Sequence, residues 1–280
     1  MEHVRWEGER PHLTSPILVV AFEGWNDAGD AATTALRWLR DRWASAPLAE
    51  IECEDFYDFT SSRPQVRLVD GVTRTIEWPS IELTWGREAG RDIVTLLGSE
   101  PQLRWKTFAR AVLDIAADLG VEMVVSLGAL FAEVPHTRPT NVIGTATDAA
   151  LIAEHGLQRS GYEGPTGIVG VLQNAFANAG VRSVSLWAPV PAYVPGAPSP
   201  KAALALVRRT GAVLDLGLVT TDLEIASAAY ERQVTEVVSD DEEMTEYVQR
   251  LERRFEDDTE PSLEPDADIV AEVERFLREQ

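Results

Sequence analysis

The chain has 280 residues, 45% of them hydrophobic, and a formal charge of −21 with a sequence pI near 4.5. That length suits one large domain, or a core with an appendage, and is ample for a sizeable buried core. So acidic a balance argues against a surface built for nucleic acid or anionic lipid, which needs clustered Lys and Arg.

A single cysteine, Cys53, leaves no intramolecular disulfide and no cysteine-based metal cluster. A reducing compartment is therefore expected, with Cys53 as strand filler rather than nucleophile. The amino terminus, MEHVRWEGERPH, is charged and broken by Pro11, and no run approaches the ~20 apolar residues of a bilayer span. We expect a cytoplasmic protein with no nucleic-acid or membrane partner, no metal and no cofactor.

PILVVAF, from Pro16 to Phe22, is a short apolar run rich in Ile and Val, the pattern of a strand covered on both faces. Ala31, Ala32, Ala35, Leu36, Trp38, Leu39 and Trp43 then mark a helix, and LAEIECEDF reads as the next strand. Between residues 64 and 98 the segments QVRLV, VTRTIEW, SIELTWG and DIVTLLG are short and β-rich. Asp70-Gly71 between two alternating runs signals a hairpin, so antiparallel strands extend or flank the main sheet here.

A helix is predicted from about Pro101 to Leu119, with Ser99 and Gln102 spaced as a capping box and Gly120 as its stop. EMVVSLG returns to a buried strand, NVIGTAT reads as another, PTGIVGVLQNAFANAG as a helix ending at Gly180, and VRSVSLWAPV as a strand. Ser199-Pro200 opens a helix running towards Arg209, with proline in the first helical position it tolerates. Repeated βα units predict a mostly parallel sheet between two layers of helices.

The last fifty residues differ. From Glu231 to Gln280 there are 18 acidic and 6 basic residues, so this tail carries −12 of the −21. Ser239 and Glu242 are spaced as a second capping box, and Met244, Tyr247, Val248, Leu251 and Phe255 form an apolar stripe. Beyond the linker DDTEPSLEPD, Ile269, Val270, Val273, Phe276 and Leu277 form another. The expected organisation is a three-layer α/β/α core over residues 1–220 and an acidic helical appendage over 221–280.

In a parallel α/β sheet the loops leaving the carboxyl ends of the strands share the edge where ligands usually bind. In EGWNDAGD, Glu23, Asn26, Asp27 and Asp30 offer acid, base or cation chemistry. The same loop also reads as a helix start, with Asn26 or Asp27 as cap and Trp25 as a packing or interface anchor. In ALFAEVPHTRP, Glu133, His136 and Arg138 bring a carboxylate, an imidazole and a guanidinium within six residues. His136, one of four histidines, is the best single candidate for general acid or base work, and an equally plausible structural residue.

GYEGPTG places Glu163, Thr166 and free backbone N–H groups at a helix start, a place for an anion. Its glycines do not match the dinucleotide fingerprint, and no phosphate loop, Gly-x-Ser-x-Gly elbow or zinc-spaced histidine pair exists. The catalytic candidates are therefore Glu23, Asp27 and His136. The candidates for holding a ligand or partner are Glu23, Trp25, Asn26, Asp27, Glu133, His136, Arg138, Glu163 and Thr166.

Four segments, FEGWNDAGDAA, GALFAEVPHTRP, YEGPTGIVGVL and SPKAALAL, occur in this order between about residues 15 and 215. They resemble the corresponding segments of the proteasome assembly chaperone 2 family, in its bacterial branch with an added carboxy-terminal helical part. The resemblance implies a three-layer α/β/α core related in fold to phosphorylases and hydrolases. It also implies self-association, with a trimer kept open, and proteasome subunits as partners. Some relatives end in a hydrophobic-Tyr-x tail that docks into proteasome pockets; this chain ends FLREQ, so that mode is not expected.

The favoured reading is thus a non-enzymatic, self-associating scaffold or assembly chaperone, and the eight tryptophans also favour a homo-oligomer. The alternative is a hydrolase-like or transferase enzyme, or a small-molecule binder, using an acidic and histidine cleft at the carboxyl edge of the sheet. The enzyme requires Glu23 or Asp27 to converge with His136.

Overall fold

The computed structural model describes residues 3–43 and 45–257, which form ten strands and seven helices. The first half contains β1 (Val4–Trp6), β2 (Ile17–Glu23), α1 (Ala31–Arg42), β3 (Ala46–Ile51), β4 (Gln65–Val69), β5 (Thr73–Glu77), β6 (Ile81–Glu88), β7 (Arg91–Ser99) and α2 (Trp105–Asp118). The second half contains β8 (Met123–Ala132), β9 (Ile143–Ala146), α3 (Ala149–His155), α4 (Ile168–Asn178), β10 (Arg182–Pro191), α5 (Pro200–Leu214), α6 (Thr221–Ser239) and α7 (Glu242–Asp257). The second apolar stripe of the tail and most of its proline-broken linker lie outside the described residues.

Eight strands make one sheet in the order β1-β3-β6-β7-β2-β8-β10-β9. The four central strands, β7, β2, β8 and β10, run parallel, and both flanks are antiparallel. In β2, Ile17, Val19 and Ala21 face one side while Leu18, Val20 and Phe22 face the other, as the period of two demands. The first set packs on α1 and α5 through Leu36, Leu39, Leu206 and Val207. The second packs on α2 and α4 through Phe108, Val112, Ile115, Leu172 and Phe176. This is the expected three-layer α/β/α arrangement, with each face of a central strand in its own core.

Local signals held where the chain could satisfy them alone. Asp70 and Gly71 both take positive φ in the turn joining β4 to β5, as a tight hairpin requires. Ser199 accepts a hydrogen bond from the Ala202 N–H ahead of α5, with Pro200 inside the first turn. Both capping boxes are corrected. Ser99 ends β7 and donates to Glu23, Gln102 reaches Ser62 and the Asp58 N–H, and α2 begins only at Trp105. Ser239 ends α6, where its hydroxyl donates to the Thr235 carbonyl, and the carboxylate that accepts from the first turn of α7 is Asp241, 3.1 Å from the Met244 N–H. Sequence spacing alone cannot tell a helix-opening serine from one that closes the preceding element.

Cys53 is not strand filler either: it lies two residues beyond β3 and packs half-buried against the second core. Burial pushes its thiol up, away from nucleophilic use. The short elements β1 and α3, and the long helix α6 within the expected helical appendage, add to the expected set. Among the described residues no helix is long and apolar enough to cross a membrane.

Candidate functional site

The carboxyl ends of all four parallel strands lie on one edge, and a cleft of about 1970 Å³ runs along it. Its lining includes Trp25, Trp105, Phe131, Tyr162, Thr166 and Trp187. Trp25 is 57% exposed and Phe131 and Tyr162 about 40%, so the edge shows aromatic surface beside the ionisable groups that also line the cleft, among them Asp27, Glu100, Glu133, His136 and Lys201.

The first loop is held from below. The Ser99 hydroxyl donates to Glu23 at 2.8 Å, and Arg37 pairs with the second carboxylate oxygen. Asn26 is 1% exposed; its backbone carbonyl accepts from the Ala129 N–H at 2.8 Å and its Nδ2 donates to Glu100 at 2.7 Å. Asp27 is buried and caps α1 from a turn upstream. One carboxylate oxygen accepts from the N–H groups of Ala32 (2.6 Å) and Thr33 (3.2 Å), the other from the Thr33 hydroxyl. Burial raises the Asp27 carboxyl above the usual range, and these three donors oppose that shift. Gly29 and Asp30, both at positive φ, turn the chain between the cap and the helix.

Glu100, directly after β7, carries the site and escaped the sequence reading. One of its oxygens accepts both from Asn26 Nδ2 and from the Ile168 N–H at 2.7 Å, at the start of α4. The anion expected at this helix start is therefore a carboxylate of the chain itself. Its position after a strand, like that of Glu23, was the available signal. Thr166 lines the cleft beside this helix start, whereas Glu163 is exposed and outside the lining.

Gly167 completes the arrangement, because a Cβ there would overlap the Asn26 carboxamide. We expect Gly167→Ala to cost about 1–3 kcal/mol through this forced shift. Pairing it with Asn26→Ala should recover part of the loss in a thermal-melting double-mutant cycle. Additive losses would show that the two groups do not compete for space.

The second loop lines the same cleft through Phe131, Glu133, Pro135 and His136, and it is bonded to the carboxy-terminal helices. Glu133 receives hydrogen bonds from Arg254 (2.8 Å) and Tyr247 (3.3 Å) of α7. Thr137 donates to Glu252, and Arg138 pairs with Glu252 and, at 2.6 Å, with Glu256. His136 is 2% exposed, with Nδ1 at 2.7 Å from the Tyr193 hydroxyl and Nε2 at 2.9 Å from the Thr235 hydroxyl on α6.

Hydrogen counting assigns the tautomer of His136. The Thr235 hydroxyl donates to the Glu231 carbonyl, so it accepts from Nε2–H; the Tyr193 hydroxyl accepts from the His136 backbone N–H and donates to Nδ1. Burial, aided by the Lys201 ammonium, pushes the imidazole below its ordinary value, against the opposing pull of Glu231 and Glu252. Lys201 itself bridges the His136 carbonyl and Glu231.

Glu133, His136 and Arg138 thus come together, as the spacing suggested, but against α6 and α7. Glu23 and Asp27 are bonded elsewhere and share no hydrogen bond with His136. Tyr193, Lys201 and Thr235 were invisible beforehand because each lies more than 50 residues from His136 in the chain.

A mixed α/β/α protein whose strand-end loops are partly roofed by its own carboxy-terminal helices is the class that this fold and edge define. The chain belongs to the PAC2 family, whose model matches residues 21–238. It is 47% identical to the Mycobacterium tuberculosis proteasome-assembly chaperone homologue, with a TM-score of 0.76, covering 83% of this chain and 99% of that one. A PAC2 family protein from Streptomyces avermitilis is 45% identical, with a TM-score of 0.78 and the same coverage. An archaeal homologue of proteasome-assembly chaperone, Pyrococcus furiosus PbaA, shares the fold at 16% identity and a TM-score of 0.60, over 88% of this chain and 97% of that one. No curated protein matches the chain.

Proposed function

We propose that the protein is a non-enzymatic, self-associating scaffold of the assembly-chaperone kind, acting in the cytoplasm, with proteasome subunits as its client class. The observation that carries this reading is how the candidate chemistry is used. Glu23, Asp27, Glu133, His136 and Arg138 are all engaged in internal hydrogen bonds or ion pairs, Asp27, Glu133 and His136 even where they line the cleft, while Trp25, Phe131 and Tyr162 stand exposed around it. Rigidly based aromatic side chains are the usual anchors of protein interfaces. The names of the M. tuberculosis and P. furiosus relatives supply the client class.

In this reading residues 1–220 form the core, and 221–280 form an appendage whose helices brace the second loop and leave the first open. An enzyme working through Glu23 or Asp27 with His136 has less support, since each carboxylate is committed to a different helix from the one His136 meets.

Affinity capture of the tagged full chain from its native cytoplasm, read by mass spectrometry, tests the reading. Proteasome subunits should come down, and Trp25→Ala should weaken their binding about 30-fold, the effect of losing an anchor of about 2 kcal/mol. Recovery of the protein alone would overturn the client assignment.

A further inference from the structure

The cleft has two chemically different ends. Its charged lining residues come from the strand-end loops, from α5 and from α7. The lining residues contributed by β9, α4 and β10 carry no charge at all, in a chain of which 25% is charged. On α4 these are Gly170, Gln173, Asn174 and Ala177, the spacing of one stripe along a helix. On β10 Ser185 and Trp187, two residues apart, share the side of the sheet that α4 covers.

Trp187 is laid out as a platform. Its register partner on β8 is Gly128, and a Cβ there would lie 2.6–2.9 Å from three atoms of the indole, so the ring rests face down on the Gly128 backbone. Its Nε1 donates to the Ser185 hydroxyl at 2.9 Å, which fixes the rotation of the ring. The indole is half-buried and lines the cleft.

Hydrogen-bonding groups stand unspent around it. Ser185 is paired across the sheet with Thr145 on β9, so their side chains are neighbours on one face. Thr145 is 8% exposed and lines the cleft, and its hydroxyl bonds to none of the described residues. The Ser185 hydroxyl accepts from Trp187 and donates to none of them. Gln173 reaches the Ser183 carbonyl through Nε2 at 3.5 Å, and its buried Oε1 has no donor. Buried polar groups are paired as a rule, so unspent ones beside an aromatic face mark a ligand's place.

The missing charges say what kind of ligand fits. With no Lys or Arg at this end, and with the start of α4 already holding the Glu100 carboxylate, an anion has no counter-charge here. A flat ring laid on the indole gains stacking without any charge.

We propose that this end of the cleft is a binding subsite for an uncharged, flat nitrogen heterocycle, stacked on Trp187 and hydrogen-bonded at its edge by Thr145, Ser185 and Gln173. The subsite goes beyond the scaffold reading and does not depend on which client that reading names.

Calorimetric titration of the full chain with adenine, uracil and nicotinamide, each to millimolar concentration, tests it. At least one of the three should saturate the protein. Thr145→Val keeps the branched shape and removes the hydroxyl, and should weaken that ligand about 3- to 10-fold, the worth of one neutral hydrogen bond. Trp187→Leu should abolish its binding. Because Trp187 also packs on the second core, Thr145→Val decides alone where the leucine variant loses its fold.

Two further titrations check the class of ligand. Orotate, which is uracil bearing a carboxylate, should bind more weakly than uracil, and glucose should not bind. Saturation by none of the three heterocycles, or an affinity unchanged in Thr145→Val, overturns the subsite. Orotate binding as tightly as uracil overturns the uncharged class, and glucose binding in place of the heterocycles overturns the flat ring.

Discussion

Replacing Asp27 with alanine is expected to lower the thermal midpoint by about 5–15 °C. The carboxylate is 5% exposed and satisfies three donors at the start of α1, the Ala32 and Thr33 N–H groups and the Thr33 hydroxyl. Each buried donor left without a partner costs about 1–3 kcal/mol. Removing a buried charge returns part of that, because burial already raises the Asp27 carboxyl. The net is about 2–4 kcal/mol, and a domain of this size loses roughly 2–4 °C per kcal/mol.

Asp27→Asn separates the two effects. Its carboxamide oxygen can still accept from the backbone, and it abolishes the cost of ionisation. For a carboxyl raised in the folded state, stability is fully present below the unfolded value and is lost as pH rises through the folded value. At neutral pH the asparagine variant should therefore melt within about 3 °C of the wild type, a change of at most ~1 kcal/mol. Calorimetry of the three proteins decides; an alanine variant as stable as the wild type would refute the capping role.

The second large effect is at His136. Its ring joins the second loop to α6 through Thr235 and orients Tyr193, while the neighbouring residues Thr137 and Arg138 grip α7. His136→Phe fills the space and removes both ring bonds. It is expected to cost about 2–4 kcal/mol, since the Tyr193 hydroxyl then has no acceptor.

The pH dependence carries the sharper signature. A lowered imidazole value means that the unfolded chain takes up a proton that the folded chain refuses. The stability from this group is present above about 6.5 and falls as pH drops from there towards the lowered folded value. Carboxylates add their own acid-side loss, so the test is a difference: denaturant unfolding at pH 7.5 and 5.5, wild type against His136→Phe. The variant should lose less stability between the two pH values, although it starts from a lower one. Equal losses would place the His136 proton in a folded state that accepts it readily.

These two residues also show how far the sequence could be read. For Asp27 the question was capping against chemistry, and its place just before an alanine-rich helical run already favoured a cap. The bonds to Ala32 and Thr33 are local, within six residues, so spacing reached them. For His136 the same loop looked equally fit for catalysis or scaffolding, because what decides it, Thr235 on α6, is 99 residues away. The capping boxes failed for a related reason: Ser99 and Ser239 satisfy the spacing rule but are held by Glu23 and by the carbonyl of Thr235 instead.

The sequence by itself determined most of the strands and helices, though not β1, α3 or α6, together with the three-layer α/β/α class and the four segments that carry the family likeness. Each depends on period, turn chemistry or residue order within a short window. Only the tertiary structure decided that the parallel strands are the central four, that β9 runs antiparallel to β10, and that Glu100 joins Asn26 to the start of α4. It alone decided that the histidine loop, while lining the cleft beside the Trp25 loop, is bonded to the carboxy-terminal helices. Sheet order, and the partner a polar side chain finds, are set by contacts between distant parts of the chain competing for one another. No local pattern encodes which of them wins.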